Sequence, residues 1–381
     1  VDAALGNIDV QSGIFSVETT TTSLGNPASS FTLQSGATLQ LFNSVTAFDK
    51  VFLFNGNGTN TTVNVGSGEG NVLIGPITLT GGCIVNCAAG TALGLGGPVG
   101  GSGSLTKNGT GSLSLSGATT YNGFTTINAG TVFLSGAATT VNTPVITLGS
   151  GGTLDVTSLL GGPTLQLISG QTLRGAGSVN GGLLAGAGSI VSPGTAPGLT
   201  ATLTITNDIT LLGTNIFEIN KTANANDRLR SILGGITYGG RLIVTNLGGT
   251  IVGGESYKLF DSGTASYLNS FSAIELPPLG PGISWNTSQL NVNGTISVDG
   301  RLIAPLFGAT FVAGGNANFS GSGGTTNGTY YVLSATNVAA PSANWLPIQT
   351  NTFDSQGRFS FSIPIAPAIP NQFFRVQALI P

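Results

Sequence analysis

The chain reads as an all-β protein, a right-handed parallel β-helix (solenoid) followed by a small C-terminal β-sandwich-like domain. Three observations lead there. Apolar and hydroxyl residues alternate in short runs, as in Leu113-Ser-Leu115 and Leu203-Thr-Ile205, which turns one row of side chains inward and the next outward along a strand. Gly-Ser/Thr-apolar triplets recur at Gly103, Gly111, Gly130, Gly152, Gly177 and Gly188, most of them about twenty residues apart, the signature of a stacked repeat. Turn signals such as Asn55-Gly56, Asn122-Gly123 and Asn293-Gly294 punctuate the runs, while helix signals are nearly absent. An ordinary β-sandwich is the alternative for residues 1–200. The graded recurrence of the triplet favours a solenoid, whose rungs bury one apolar row against the next.

Composition sets the class. The 381 residues include 61 Gly and 17 Pro beside 40% hydrophobic residues, and the mean hydropathy is +0.33; disordered Gly/Pro-rich chains lack such apolar content, so this chain folds. Only 7% of residues are charged, against roughly 25% in typical soluble domains, leaving Ser, Thr, Asn and Gln to solvate the surface. The 11 basic and 14 acidic residues are scattered, with no cationic stripe to neutralise successive phosphates, and nucleic acid is not an expected partner. Apolar runs such as Val51 to Phe54 and Ile363 to Ile369 are short or broken by proline, so no membrane-spanning helix is expected.

Taken in order, residues 1–100 read as N-terminal solenoid rungs that hold Cys83 and Cys87, the two cysteines of the chain. Val1 in place of Met, and no Met anywhere, point to a removed signal peptide and an extracellular or cell-surface location. In an oxidising compartment the C-x3-C pair can close a small disulfide loop; two free thiols are the other reading, and zinc lacks further ligands because the chain has no histidine. Residues 101–200 are the most regular repeats. Residues 201–300 read as wider C-terminal rungs, with larger aromatics in Tyr238-Gly-Gly-Arg-Leu242, Tyr257-Lys-Leu-Phe260 and Ile283-Ser-Trp285. After Ile303-Ala-Pro-Leu-Phe307 comes a Gly/Asn-rich passage ending at Thr329. Strands around Tyr330-Tyr-Val-Leu333, Arg358-Phe-Ser-Phe-Ser362 and Phe373-Phe-Arg-Val-Gln377 then make residues 301–381 a small antiparallel β-domain.

The stretch from Gly103 to Val132, Gly-Ser-Leu-Thr-Lys-Asn-Gly-Thr-Gly-Ser-Leu-Ser-Leu-Ser-Gly117 and onward through Tyr121-Asn-Gly-Phe-Thr-Thr-Ile-Asn-Ala-Gly-Thr-Val132, resembles the autotransporter-associated β-strand repeat. Ser192-Pro-Gly-Thr-Ala-Pro-Gly198 and the Trp285-Asn-Thr-Ser-Gln-Leu290 region resemble the segment C-terminal to such repeats, so the likeness covers roughly residues 100–300. It implies a passenger-type β-helix of Gram-negative bacterial surfaces, and no catalytic residues to carry over. After residue 300 no long train of amphipathic strands of the kind a translocator barrel needs is read, so the resemblance implies a passenger-like fold and does not by itself imply self-transport.

No cofactor or metal is expected, and the chain does not read as an enzyme. Without histidine the usual general base is missing, and the groupings of acids, Asp2 with Asp9, Asp208 with Glu218 and Asp227, and Glu255 with Asp261, read as turn or ladder-end residues. The expected role is an extracellular structural protein whose partner is itself, a homopolymer or surface-matrix subunit stacking through weakly guarded strand edges. The contact strands would carry Val1, Ile8 and Val10 at one end and Phe373, Phe374 and Val376 at the other. A monomeric adhesin that binds glycans or cell-surface polysaccharide, through aromatics such as Tyr330, Tyr331 or Trp345, is the alternative. A polysaccharide-degrading β-helix enzyme ranks third.

Overall fold

A computed structural model describes residues 5–44, 46–140, 142–280, 283–299, 305–324, 327–341, 344–366, 369 and 371–378. It is all-β, with a parallel β-solenoid of about ten turns and, among the described residues, a single four-residue helix, Leu290–Asn293. Chain contacts divide it into two compact units. The first comprises Val1–Gly249, Tyr257–Pro277 and Ser288–Ile296; the second comprises Thr250–Ser256, Pro278–Thr287 and Ser297–Pro381.

In the first unit a turn has three strands. Thr61–Ser67, Asn71–Leu73 and Ile77–Leu79 make one rung, and Cys83–Cys87, Ala92–Leu95 and Val99–Gly101 make the next, each strand paired in parallel with its counterpart. Cys83 pairs with Thr61 and Leu105, and Leu105 pairs with Thr125; the step between rungs here is the twenty-odd residues of the sequence repeat. Further on, Thr125–Gly136 and Val145–Leu159 run through a corner without a break and pair along their length.

Alternation along each strand becomes stacking between them. In-register pairing forms a buried column of Leu93, Leu113, Val132, Leu154, Val179 and Ile205. Phe31, Phe52, Ile77 and Val99 form another on the face containing Ile77–Leu79. Parallel stacking puts like residues on like, so each rung covers the apolar row of the last, worth about 1.5–3 kcal/mol per fully buried large side chain. Later rungs lengthen: Arg241 pairs with Ala273. The added width is filled by rings, with Tyr238 lying 5.1 Å from Phe260 and 4.5 Å from Phe271 between ring centroids. The Tyr238 hydroxyl donates to the Leu290 carbonyl at 3.1 Å, which fixes the short helix against these rungs.

Glycine recurs because the corners stack backbone on backbone. A Cβ on Gly97 would run into the carbonyl oxygen of Gly75, and one on Gly117 into that of Gly97. The repeat period is therefore a steric requirement at the corner as much as an apolar period along the strand.

The second unit contains two three-stranded antiparallel sheets. One orders Leu306–Ala313, Asn316–Ser322 and Phe359–Pro364; the other orders Leu346–Thr352, Thr329–Ala335 and Phe373–Ala378. Tyr330, Val332, Phe353, Phe359, Phe361, Ile363 and Val376 form their core, with Phe319 and Phe374 packed against it. The Gly/Asn-rich passage up to Thr329, to which the sequence reading assigned no strand, is largely a β-hairpin. Gly314 and Gly315, both at positive φ (57° and 78°), make its turn, the two-residue geometry that glycine allows best.

Candidate functional site

The predicted disulfide is not formed. Cys83 and Cys87 are free, buried thiols at the two ends of one strand. An extended strand rises ~3.3 Å per residue, which sets residues four apart at about 13 Å, far beyond the ~7 Å limit for a bridge. Both thiols instead serve as small apolar core residues. Burial pushes the Cys83 thiol up to about 12, against the opposing bond from the Thr61 hydroxyl. Burial also raises Cys87, against the opposing pull of the Lys107 ammonium and a Leu93 backbone bond.

Lys107 occupies a place the sequence reading did not single out. It lies in the inward column Leu39, Val63, Val85, Lys107, Ile127 and Leu148 and is fully buried. Its ammonium donates to the carbonyls of Asn108 (2.8 Å), Gly109 (2.7 Å) and Ala129 (3.3 Å), so each of its three N–H bonds has an acceptor. Burial lowers its pKa, with Cys87 acting the other way. Parity was the available signal: Lys107 shares the inward phase of Leu105.

On the outward face of the strands, amides form ladders. Gln40 pairs with Asn64, Asn64 with Asn86 and Asn86 with Asn108 in register; the Asn86 amide donates to Asn64 and that of Asn128 to Asn108, both at 2.8 Å. A second ladder runs Asp9, Gln34, Asn55 and Thr80. These ladders, in which Asp9 is the one ionisable member, satisfy the outer face without ion pairs and explain how so few charges suffice.

Of the acidic groupings, Glu218 and Asp227 are brought together, and both are bonded to the backbone. Glu218 accepts from the Gly198 amide through both carboxylate oxygens (2.8 and 2.9 Å); Asp227 accepts from the amides of Ala201 and Glu218 at 2.8 Å. Burial raises Asp227 to about 7, the two amide bonds opposing it and the Glu218 charge adding to it. Glu218 thus clamps the Ser192–Gly198 loop. Asp208 stands elsewhere, accepting from the Gly235 amide, and Asp261 pairs with Lys258 (2.8 Å) and Arg230 (3.6 Å). Asp2 lies outside the described residues.

The expected contact residues fall on strands with an unpaired side. Ile8 and Val10 lie on Ile8–Val10, which among the described residues pairs with Ser30–Leu33 alone. Phe373, Phe374 and Val376 lie on Phe373–Ala378, paired with Thr329–Ala335 alone, though Val376 is buried in the core. Val1 lies outside the described residues. Of the aromatics offered for glycan binding, Tyr330 is core, its hydroxyl donating to the Ser360 carbonyl at 3.0 Å, while Tyr331 and Trp345 are half-buried, the Trp345 indole donating to the Ala340 carbonyl at 3.1 Å. Sequence reading missed the strand Leu306–Ala313, every residue of which is exposed; the run Ala309-Thr-Phe-Val312 before Gly314-Gly315 was its signal.

Among the described residues no helix is long and apolar enough to cross a membrane. A family model described as the passenger-associated-transport-repeat matches residues 105–132, which span the strands Leu105–Asn108 and Ser112–Leu115 and the first two thirds of Thr125–Gly136. No curated protein matches the chain. The repeat points to a cell-surface or secreted protein. The repeat and the solenoid around it together fit an autotransporter passenger-type β-helix.

Proposed function

We propose that this passenger-like surface protein is a non-catalytic, self-associating structural subunit built into an extracellular filament or surface matrix through strand edges. The observation that carries this reading is the combination of unpaired strands with an almost uncharged surface. Ile14–Val17, which pairs only with Thr38–Phe42 among the described residues, has no charge or proline, and Ile14 is well exposed. Edges of this kind template the addition of another strand unless charge, proline or a covering element blocks them. The carboxylates that meet, Glu218 and Asp227, are spent on holding backbone amides, which supports a structural rather than a chemical role. Negative-stain electron microscopy of purified protein tests the reading: fibres or sheets are expected, and a field of discrete particles at every concentration sinks it.

A further inference from the structure

We propose that the strand Leu306–Ala313 is a self-association edge, at which two copies of this chain pair antiparallel, strand against identical strand, about a two-fold axis passing close to Val312. The inference rests on the self-associating role above and names the surface that performs it.

The terminal sandwich has four edge strands, and three of them are guarded. Leu346–Thr352 contains Pro347, Phe359–Pro364 ends in proline and follows Arg358, and Phe373–Ala378 carries Arg375. Proline withholds a ladder donor and charge resists burial, the two usual guards of a sheet edge. Leu306–Ala313, with the sequence LFGATFVA, follows Pro305 but holds neither charge nor proline along its own length. It pairs on one side with Asn316–Ser322, and among the described residues no strand pairs with its other side. Its apolar side chains are open on both faces, Leu306 at 71%, Phe311 at 58% and Val312 at 68% exposure. A run this apolar, uncharged and free of proline is the kind that pairs with its own copy.

The register explains where the axis falls. Pairing with Asn316–Ser322 shifts between Phe307 and Thr310, and Thr310 to Ala313 then continue without interruption. That unbroken stretch is the part able to form a regular new ladder. A second copy fits the strand better than a charged partner would. The strand offers no charge to complement, and with 7% charged residues and a net charge of −3 over 381 residues, two copies approach without strong repulsion. Contact about a two-fold closes on itself, so this edge makes pairs, and a polymer arises when pairs also join through another edge. One eight-residue edge buries less than the ~1,200 Å² of a stable interface, so the pair by itself is weak and gains strength where copies are held at high density.

Sedimentation velocity on the full chain, up to about 1 mM, reads the association. Val312→Lys and Val312→Glu, at a side chain open to solvent, are each expected to keep the wild-type circular dichroism and melting temperature. Each is also expected to weaken pairing by about tenfold or more, since like charges meet across the axis and apolar contact is lost. An equal mixture of the two is expected to pair again. If the wild type pairs and neither variant weakens it, the assignment to this edge is wrong while self-association stands. If both variants weaken it and the mixture does not recover, the partner surface is not the same strand, and the two-fold is overturned. A wild type that stays monomeric throughout, with no fibres in the microscope, removes the self-associating role itself.

Discussion

A lysine in the middle of an apolar column is tolerated only because three carbonyls meet its three N–H bonds. The corner after Leu105–Asn108 supplies two of them, Asn108 and Gly109, and the next rung supplies Ala129. Replacing Lys107 by Met keeps much of the volume but strands those carbonyls, and the expected loss is about 1–3 kcal/mol, read as a lower urea midpoint. Asp227 gives a pH signature. The folded chain holds its proton up to about 7, whereas the unfolded chain releases it near the ordinary carboxylate value of about 4. Protonation therefore favours the fold: stability from this group is complete below about pH 4, falls as pH rises to about 7 and is flat above. The melting temperature should drop across that window, and Asp227→Asn should flatten the drop; an unchanged slope would remove Asp227 as its source. The thiols give a third test at this scale. Cys83 and Cys87 should resist a thiol reagent in the native protein at pH 8 and both react once it is unfolded, because the reactive form is the thiolate and burial suppresses it.

At the scale of the rung, glycine and the apolar columns carry different loads. Gly117→Ala places a methyl group against the Gly97 carbonyl and should cost about 1–3 kcal/mol, since backbone must move. Gly161→Ala, where no atom lies within 4 Å of the added carbon, should stay within about 0.5 kcal/mol. Thermal denaturation of the pair separates corner sterics from glycine content as such. Leu113→Ala opens a cavity between Leu93 and Val132 and should lose about 2–5 kcal/mol. Much of this was legible in advance. The strands Leu105–Asn108 and Ser112–Leu115 follow from period-two alternation, and the Gly-Asn corners follow from their turn chemistry. What misled the reading was local pattern without phase: C-x3-C suggests a small loop until the run Cys83–Cys87 is recognised as one straight strand, and a Gly/Asn-rich passage yields no strand until Gly314-Gly315 is recognised as a hairpin turn.

For the molecule as a whole, the surface is solvated by amide and hydroxyl ladders rather than by charge. Its stability should respond weakly to ionic strength: between 0.05 and 1 M NaCl the melting temperature should move by no more than about 2 °C, because screening acts on few exposed ion pairs. A repeat array draws its stability from contacts between neighbouring rungs, so damage at one corner should loosen adjacent turns first, and hydrogen exchange would map that spread. Fold class, rung period, inward rows and low charge were determined by the sequence alone, because alternation and glycine spacing act over a few residues and leave a local trace. The tertiary structure decided which rows stack on which, that Lys107 points inward to carbonyls from two rungs, that Glu218 and Asp227 meet, and that Leu306–Ala313 is left with an unpaired side. Each of those depends on residues distant in the chain brought together by register, and no local pattern records the partner across a ladder.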